Sequence, residues 1–288
     1  MRELGGWGMI SKSLRSASLF GAVLLVACSG GEDPTSPTNG GATAPSPTPA
    51  PAGLSAADLE GGNSSYLVPS PGEMQRALES AGIESSLAAL VPDRELDMSI
   101  QNKDQVAVRT GVVLADVLLT LRTAETADTV VRLQAVRDGL RTLQAGDDLP
   151  AELDELIANI QNMGVTDRLV FELDELSAAV IPEIQYEAEW ILPLIQAGAW
   201  LEGANLVSTA IKANGNVSVG NNLLIQPQVV DYFLHYVEQE GQKKVDSVVL
   251  QQLLGTLGTL KTICESGDIT SEDLDTIQST TSSVLQLL

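Results

Sequence analysis

TADTVVRLQAVRDGLRTL, residues 126–143, decides the fold class. Its apolar residues Val130, Leu133, Val136, Leu140 and Leu143 recur at steps of three and four. That spacing lines them along one face of a helix. Thr126 stands where an N-cap hydroxyl is expected.

The same pattern runs outward in both directions. Upstream, Asn102 is placed to cap a helix to about Leu121. Before it, Ser70-Pro71-Gly72-Glu73 reads as a capping box with proline at the first helical position. It opens a helix carrying Met74, Ala77, Leu78 and Ala81. Downstream, Pro150 near a start and Thr166 as a cap mark helices through Leu153–Ile160 and Leu169–Val180. Pro182 begins a segment to about Leu201, with a break or kink expected near Pro193. Gln226-Pro227 opens a helix to Glu238. Lys243–Cys264 and Thr270–Leu287 complete the set, and Thr270-Ser271-Glu272-Asp273 resembles a capping box with Asp in place of Glu. Val217–Ile225 is the best strand candidate, but Gly220 and two asparagines break it, so it reads as a loop. The expectation is an all-α fold, a multi-helix bundle or orthogonal helical array of about nine to eleven helices. Glu152-Leu153-Asp154-Glu155-Leu156 recurs as Glu172-Leu173-Asp174-Glu175-Leu176. One short match of helix-favouring residues does not make a solenoid repeat.

The N-terminal end has a different character. The run Ala17–Ala27 is apolar or small apart from Ser18, and it follows Lys12 and Arg15. It is too short to span a bilayer and has the length of a signal-peptide core. Met9-Ile10-Ser11-Lys12 reads as the start of this leader. Leu25-Val26-Ala27-Cys28 closes it as a bacterial lipoprotein processing site, with cleavage before Cys28 and a diacylglycerol on its thiol. Acyl chains anchor through burial of their methylenes, about 0.8 kcal/mol each. Ser29, where an inner-membrane retention signal would place Asp, favours the outer membrane by resemblance to enterobacterial sorting. Pro34, Pro37, Pro45, Pro47, Pro49 and Pro51 then alternate with Gly, Ser, Thr and Ala. Such a mixture cannot bury enough apolar surface to order itself. The expected division is a signal peptide over 1–27, the lipidated cysteine and a disordered linker over 28–60, and an acidic helical domain over 61–288. Deleting residues 29–54 should leave thermal unfolding of that domain unchanged; a loss of several degrees would show that the segment packs on the core.

The formal charge is −22. Residues 1–27 carry Arg2, Lys12 and Arg15 against Glu3, a net of +2, which leaves −24 on the rest. No Lys/Arg cluster is present to neutralise phosphates, so nucleic acid is excluded as a partner. The same charge repels anionic headgroups, so membrane contact is expected through the lipid alone. An envelope protein is the expected class of partner; oligomeric state is not legible. Of the two cysteines, Cys28 is taken by lipid and Cys264 lies among Leu257, Leu260 and Ile263, as a small buried hydrophobe.

Three segments look familiar together. Val68-Pro69-Ser70-Pro71-Gly72-Glu73 precedes the first helix. Gly111-Val112-Val113-Leu114-Ala115-Asp116 lies within the long one. Ala199-Trp200-Leu201-Glu202 ends the segment after Pro193. In this order they resemble a family of all-helical bacterial lipoproteins that has no established activity. Where that family often has Gly-Gly-Trp, this chain has Gly198-Ala199-Trp200. The resemblance implies fold and location only.

Few residues are candidates for chemistry. His235 is the sole histidine, with Asp231 and Glu238 on its helix face. A zinc site would need further His or Cys ligands. No Gly-x-Ser-x-Gly elbow, calcium loop or phosphate-cradling glycine loop occurs, and no metal or cofactor is expected. Asp116 is the most informative acid, because Val112, Val113, Leu114, Val117, Leu118 and Leu119 surround it. A buried carboxylate must be paired or protonated. Arg109, two turns earlier on the same face, is one partner on offer; another helix end or water are others. Removing one member of a buried pair costs about 3–5 kcal/mol, so Asp116→Ala should destabilise strongly and Asp154→Ala, on a solvated face, should change little. Six aromatics fall between Tyr186 and Tyr236: these two, Trp190, Trp200, Tyr232 and Phe233. The helical spacing of Tyr186 and Trp190 favours the core.

The first functional expectation is a lipid-anchored, non-enzymatic helical module of the cell envelope with a structural or interaction role. The alternative is a small-molecule-binding lipoprotein with an inter-helix pocket near Asp116 and Trp200, drawing on Arg109, Trp190, Glu202, Tyr232 and Tyr236. An enzyme using an acidic general base ranks third.

Overall fold

Every regular element among the described residues is helical. The computed structural model describes residues 68–170, 190–241 and 247–288. The elements are α1 (Pro71–Ser80), a 3-10 turn (Leu87–Leu90), α2 (Lys103–Thr120), α3 (Thr126–Leu143), α4 (Asp148–Met163), α5 (Leu192–Asn214), a second 3-10 turn (Val217–Val219), α6 (Gly220–Leu223), α7 (Pro227–Gly241), α8 (Val248–Ser266) and α9 (Ser271–Leu285). The fold is all-α, as the spacing predicts. The leader, Cys28, the linker, Tyr186, Pro182 and the second Glu-Leu-Asp-Glu-Leu segment lie outside the described residues.

Local chemistry sets several helix starts. The Glu73 N–H donates to Ser70 Oγ at 3.3 Å, and the Ser70 N–H donates to Glu73 Oε2 at 2.7 Å, so the box at α1 is reciprocal. Asn102 Oδ1 accepts from the Asp104 and Gln105 N–H groups at the head of α2. Thr270 and Asp273 close a second box at α9. Thr166 Oγ1 accepts from the Leu169 N–H, beginning a helical turn over 167–170.

Two boundaries differ from the expectation, and the structure narrows a third. Thr126 is the first helical residue of α3, and Glu125 holds the cap position with extended backbone and no side-chain bond. Of the break or kink expected near Pro193, the structure has the break: a turn at 190–191 precedes α5, and Pro193 does not kink it. The proline sits in the first turn of α5, where its missing N–H has no partner to lose. The helix therefore starts beside it and runs on to Asn214. Residues 217–223 are two short helical turns rather than a loop. Asn221 pins them, since its Oδ1 accepts from the Ile269 N–H at 2.7 Å and its Nδ2 donates to Asp268 at 2.9 Å.

The core is built on α2 and α5. Both are buried on nearly every side, which marks central helices. They cross where two glycines face backbone. A Cβ on Gly111 would stand 1.9 Å from the Ile195 carbonyl oxygen, and one on Gly198 would stand 2.1 Å from that of Val108. On one side α2 packs α3, and α3 packs α4. On the other α5 packs α9, α9 packs α8, and α8 packs α7. Asp154 does not lie on a purely solvated face. It accepts from Arg137 at 2.7 Å and Arg141 at 2.5 Å, linking α4 to α3. The Arg137 bond, above all, holds its carboxyl below the usual range.

Candidate functional site

Asp116 points from α2 into the interior, with 1% of its surface exposed. Glu202, on α5, is at 0%. The helix crossing at Gly111 and Gly198 brings these two acids to one cation, Arg94. Arg94 enters from residues 91–101, a segment with no regular structure. Its Nε donates to Asp116 Oδ2 at 2.8 Å, and its Nη2 forms an ion pair with Glu202 Oε1. Its side chain is 16% exposed.

One guanidinium therefore serves two carboxylates. Asp116 Oδ1 and Glu202 Oε2 have no hydrogen-bond partner, and Glu202 Oε1 meets only the Arg94 guanidinium. Burial pushes Asp116 up to about 6, against the opposing pull of Arg94. Burial pushes Glu202 up to about 7, with Arg94 opposing and Asp116 adding to the rise. A buried anion without full compensation favours its protonated form. Burial thus makes the pair keep a proton to higher pH than ordinary carboxyls do. Thr120 Oγ1 donates to the Asp116 carbonyl at 2.6 Å, and Arg132 reaches Thr120 Oγ1 at 3.3 Å.

Arg109 is not the partner of Asp116. Its Nη1 donates to the Asp97 carbonyl, and its Nε has no bond. Burial lowers its pKa, while Glu95 and Asp97 oppose the fall. The side chain leans toward the same 91–101 segment that sends Arg94 inward. Arg109 and Arg94 thus clasp that segment against α2 from opposite directions.

The aromatic candidates assemble elsewhere. Trp200 is 2% exposed, and its Nε1 donates to Gln226 Oε1 at 2.9 Å. Phe233 lies 5.7 Å from it, ring centre to ring centre, and Tyr232 lies 5.2 Å from Phe233. The Tyr232 hydroxyl donates to Gln196 Oε1 at 3.1 Å. Trp200 and Glu202 are two residues apart on one helix, so they project to opposed faces. Tyr236 donates to the Trp190 carbonyl. Trp190 is at the surface, 36% exposed, with the Lys103 ammonium 6.0 Å from its ring centre. The core placement expected for Trp190 is not what the structure shows, because α5 begins only after it and the ring is not on a buried helix face.

The remaining candidates have local partners. His235 Nε2 is 2.6 Å from Gln239 Nε2, and Asp231 pairs with Lys261 at 2.8 Å. Among the described residues no group of three His, Cys, Asp or Glu is placed to hold a metal ion. Cys264 is buried, and burial pushes its thiol up. A cavity of about 720 Å³ opens at the α3–α4 connection, lined by residues including Arg141, Gln144, Asp147 and Asp148. None of the sequence candidates lines it.

Sequence reasoning missed Arg94. The segment Val91-Pro92-Asp93-Arg94-Glu95-Leu96 has no helical period, so no face could be assigned. The indirect signal was the need of Asp116 for a cation. Comparison with known protein families, curated proteins and solved structures finds no match to the chain.

Proposed function

We propose that this protein is a lipid-anchored helical module of the bacterial cell envelope, with a structural or interaction role rather than a catalytic one. The observation that carries the non-catalytic part is the closure of the acid pair. Asp116 and Glu202 are covered by Arg94 from the protein itself, not presented to a substrate. Trp200 and Phe233 fill core positions with Tyr232 half-buried beside them, and Trp200 and Tyr232 spend their polar tips on Gln226 and Gln196. The anchoring part rests on Leu25-Val26-Ala27-Cys28 behind a short apolar run. No helix among the described residues is long and apolar enough to cross a membrane.

Metabolic labelling with a fatty-acid probe tests the anchor. The wild type should take up label and fractionate with membranes, and Cys28→Ala should do neither. Equal labelling of the two would sink the anchor. Crosslinking in intact envelope tests the interaction role: a discrete adduct of the wild type, weakened when Cys28→Ala removes the anchor, is the expected result.

One observation favours a second reading, a small-molecule binder near Asp116. Two buried carboxylate oxygens there, Asp116 Oδ1 and Glu202 Oε2, lack a partner. A guanidinium or amine compound that raises the melting temperature of the wild type, and not of Glu202→Gln, would support it.

A further inference from the structure

We propose that residues 91–101 are a proton-controlled latch, closed on α2 and α5 while Asp116 and Glu202 together keep a proton that they give up when Arg94 withdraws. The argument starts from charge. Two buried carboxylates face one guanidinium, which meets one oxygen of each and leaves Asp116 Oδ1 and Glu202 Oε2 without a partner. A single proton removes the surplus negative charge and leaves Arg94 with one carboxylate to balance it.

The other charged groups around the pair do not change this balance. Arg132 on α3 acts on Asp116 from a half-buried position and bonds to Thr120. Arg109 on α2 is turned to the Asp97 carbonyl, within the field of Glu95 and Asp97. Helix α1 brings Met74 against Gly203, next to Glu202. The turn Leu87–Leu90 carries only Leu and Ala. Helix α9 offers neutral Thr281 and Ser282 to Asn205 of α5. Its ion pair, Asp275 with Lys212, is exposed. Among the described residues Arg94 is thus the cation in direct contact with both acids.

The segment is built to move as a unit. It has no helix or strand of its own, and it lies between the turn at 87–90 and the Asn102 cap of α2. Arg94, the buried Met98, the half-buried Val91, Leu96 and Ile100 packed on the core, and the Arg109–Asp97 bond hold it down. Release would admit water to both acids, whose ordinary pKa is near 4. Docked, they are pushed up to about 6 and about 7 by burial. The docked form therefore binds more protons than the released form. Raising pH from the ordinary acid range to the docked range must favour release; above about 7 both forms are ionised and the effect levels off.

Side-chain NMR of the full chain tests this through the Arg94 Nε–H, which is bonded only while the latch is closed. Its hydrogen-exchange protection is read against that of Arg137 Nε–H, which makes a like bond to Asp138 at 2.9 Å on another face. That reference cancels the intrinsic pH dependence of exchange. The Arg94-to-Arg137 protection ratio should fall about tenfold or more per pH unit between pH 5 and 7, for one to two linked protons, then flatten. Glu202→Gln, which keeps the shape and removes the titration, should make the fall shallower by about one proton. A flat ratio in the wild type overturns the latch. So does a Glu202→Gln profile identical to the wild type. Should Glu202→Gln not fold, Asp116→Asn takes its place, and the wild-type profile decides by itself.

Discussion

Arg94→Ala should lose about 3 kcal/mol of stability at pH 8 and markedly less at pH 5. At pH 8 the substitution leaves Asp116 and Glu202 buried without their cation, so each must stay ionised unpaired or take up a proton against the bulk pH, at a cost either way. Breaking a buried pair by removing one partner costs about 3–5 kcal/mol, and the partial exposure of Arg94 places it at the lower end. The sign of the pH effect follows from the acids. Both have folded-state pKa values raised by burial, to about 6 and about 7, and Arg94 restrains both rises. Without it they rise further. A raised acid pKa gives stability that is present below the unfolded value and lost as pH climbs through the folded value. At pH 5 both acids are neutral, so little is left to uncompensate. Urea melts at the two pH values measure this. A loss that is equal at pH 5 and pH 8 would refute the charge argument.

Asp116→Ala is expected to be milder than its burial alone implies. It leaves Arg94 matched one-to-one by Glu202, a balanced pair. The cost of 3–5 kcal/mol anticipated from sequence belongs to the arginine. Asp154→Ala moves the other way: it breaks two bonds between α3 and α4, so it should be less silent than a solvated acid.

The second large effect is expected at the helix crossing. Gly198→Ala would place a methyl 2.1 Å from the Val108 carbonyl oxygen, and Gly111→Ala one 1.9 Å from that of Ile195. Both obstacles are backbone, so no side chain can swing away. The two central helices must separate, and overpacking of this kind costs about 1–3 kcal/mol or more. Because α2 and α5 carry Asp116 and Glu202, separation also loosens the grip on Arg94. Gly255→Ala and Gly258→Ala on α8 are the controls, since nothing lies within 4 Å of their added methyls. They should stabilise by about 0.4–1 kcal/mol, by restricting the unfolded chain and favouring helix. Thermal melts of the four variants decide it. No loss in Gly198→Ala would mean that the crossing is more tolerant than its geometry indicates.

Much of this was legible in the chain before any coordinates. The capping boxes at Ser70 and Thr270 and the Asn102 cap form as read, because a cap is a contact within three residues. The apolar period of 126–143 became the buried face of α3 for the same local reason. Asp116 was legible as buried, since apolar neighbours on every side leave a helical residue no solvent face. Pro193 was legible as a break or a kink but not as which, because proline within an apolar run reads alike as a kink and as a first-turn residue. The role of Gly198 in a tight crossing was visible only as permission for close approach, without the partner it approaches.

Local sequence set the long helices among the described residues, where several of them begin, and that Asp116 is forced inside. Those are consequences of hydrogen bonds and side-chain periods that close within a turn or two. Tertiary structure alone decided that Arg94, rather than Arg109, meets Asp116, that Glu202 shares the same guanidinium, and that Trp200 turns to a different neighbourhood. Arg94 lies 22 residues from Asp116 in the chain, and Glu202 is farther still. A contact at that separation depends on how α2 and α5 cross, and the crossing is set by backbone meeting backbone at Gly111 and Gly198. No local period encodes that distance, so the site exists only once the two helices are packed.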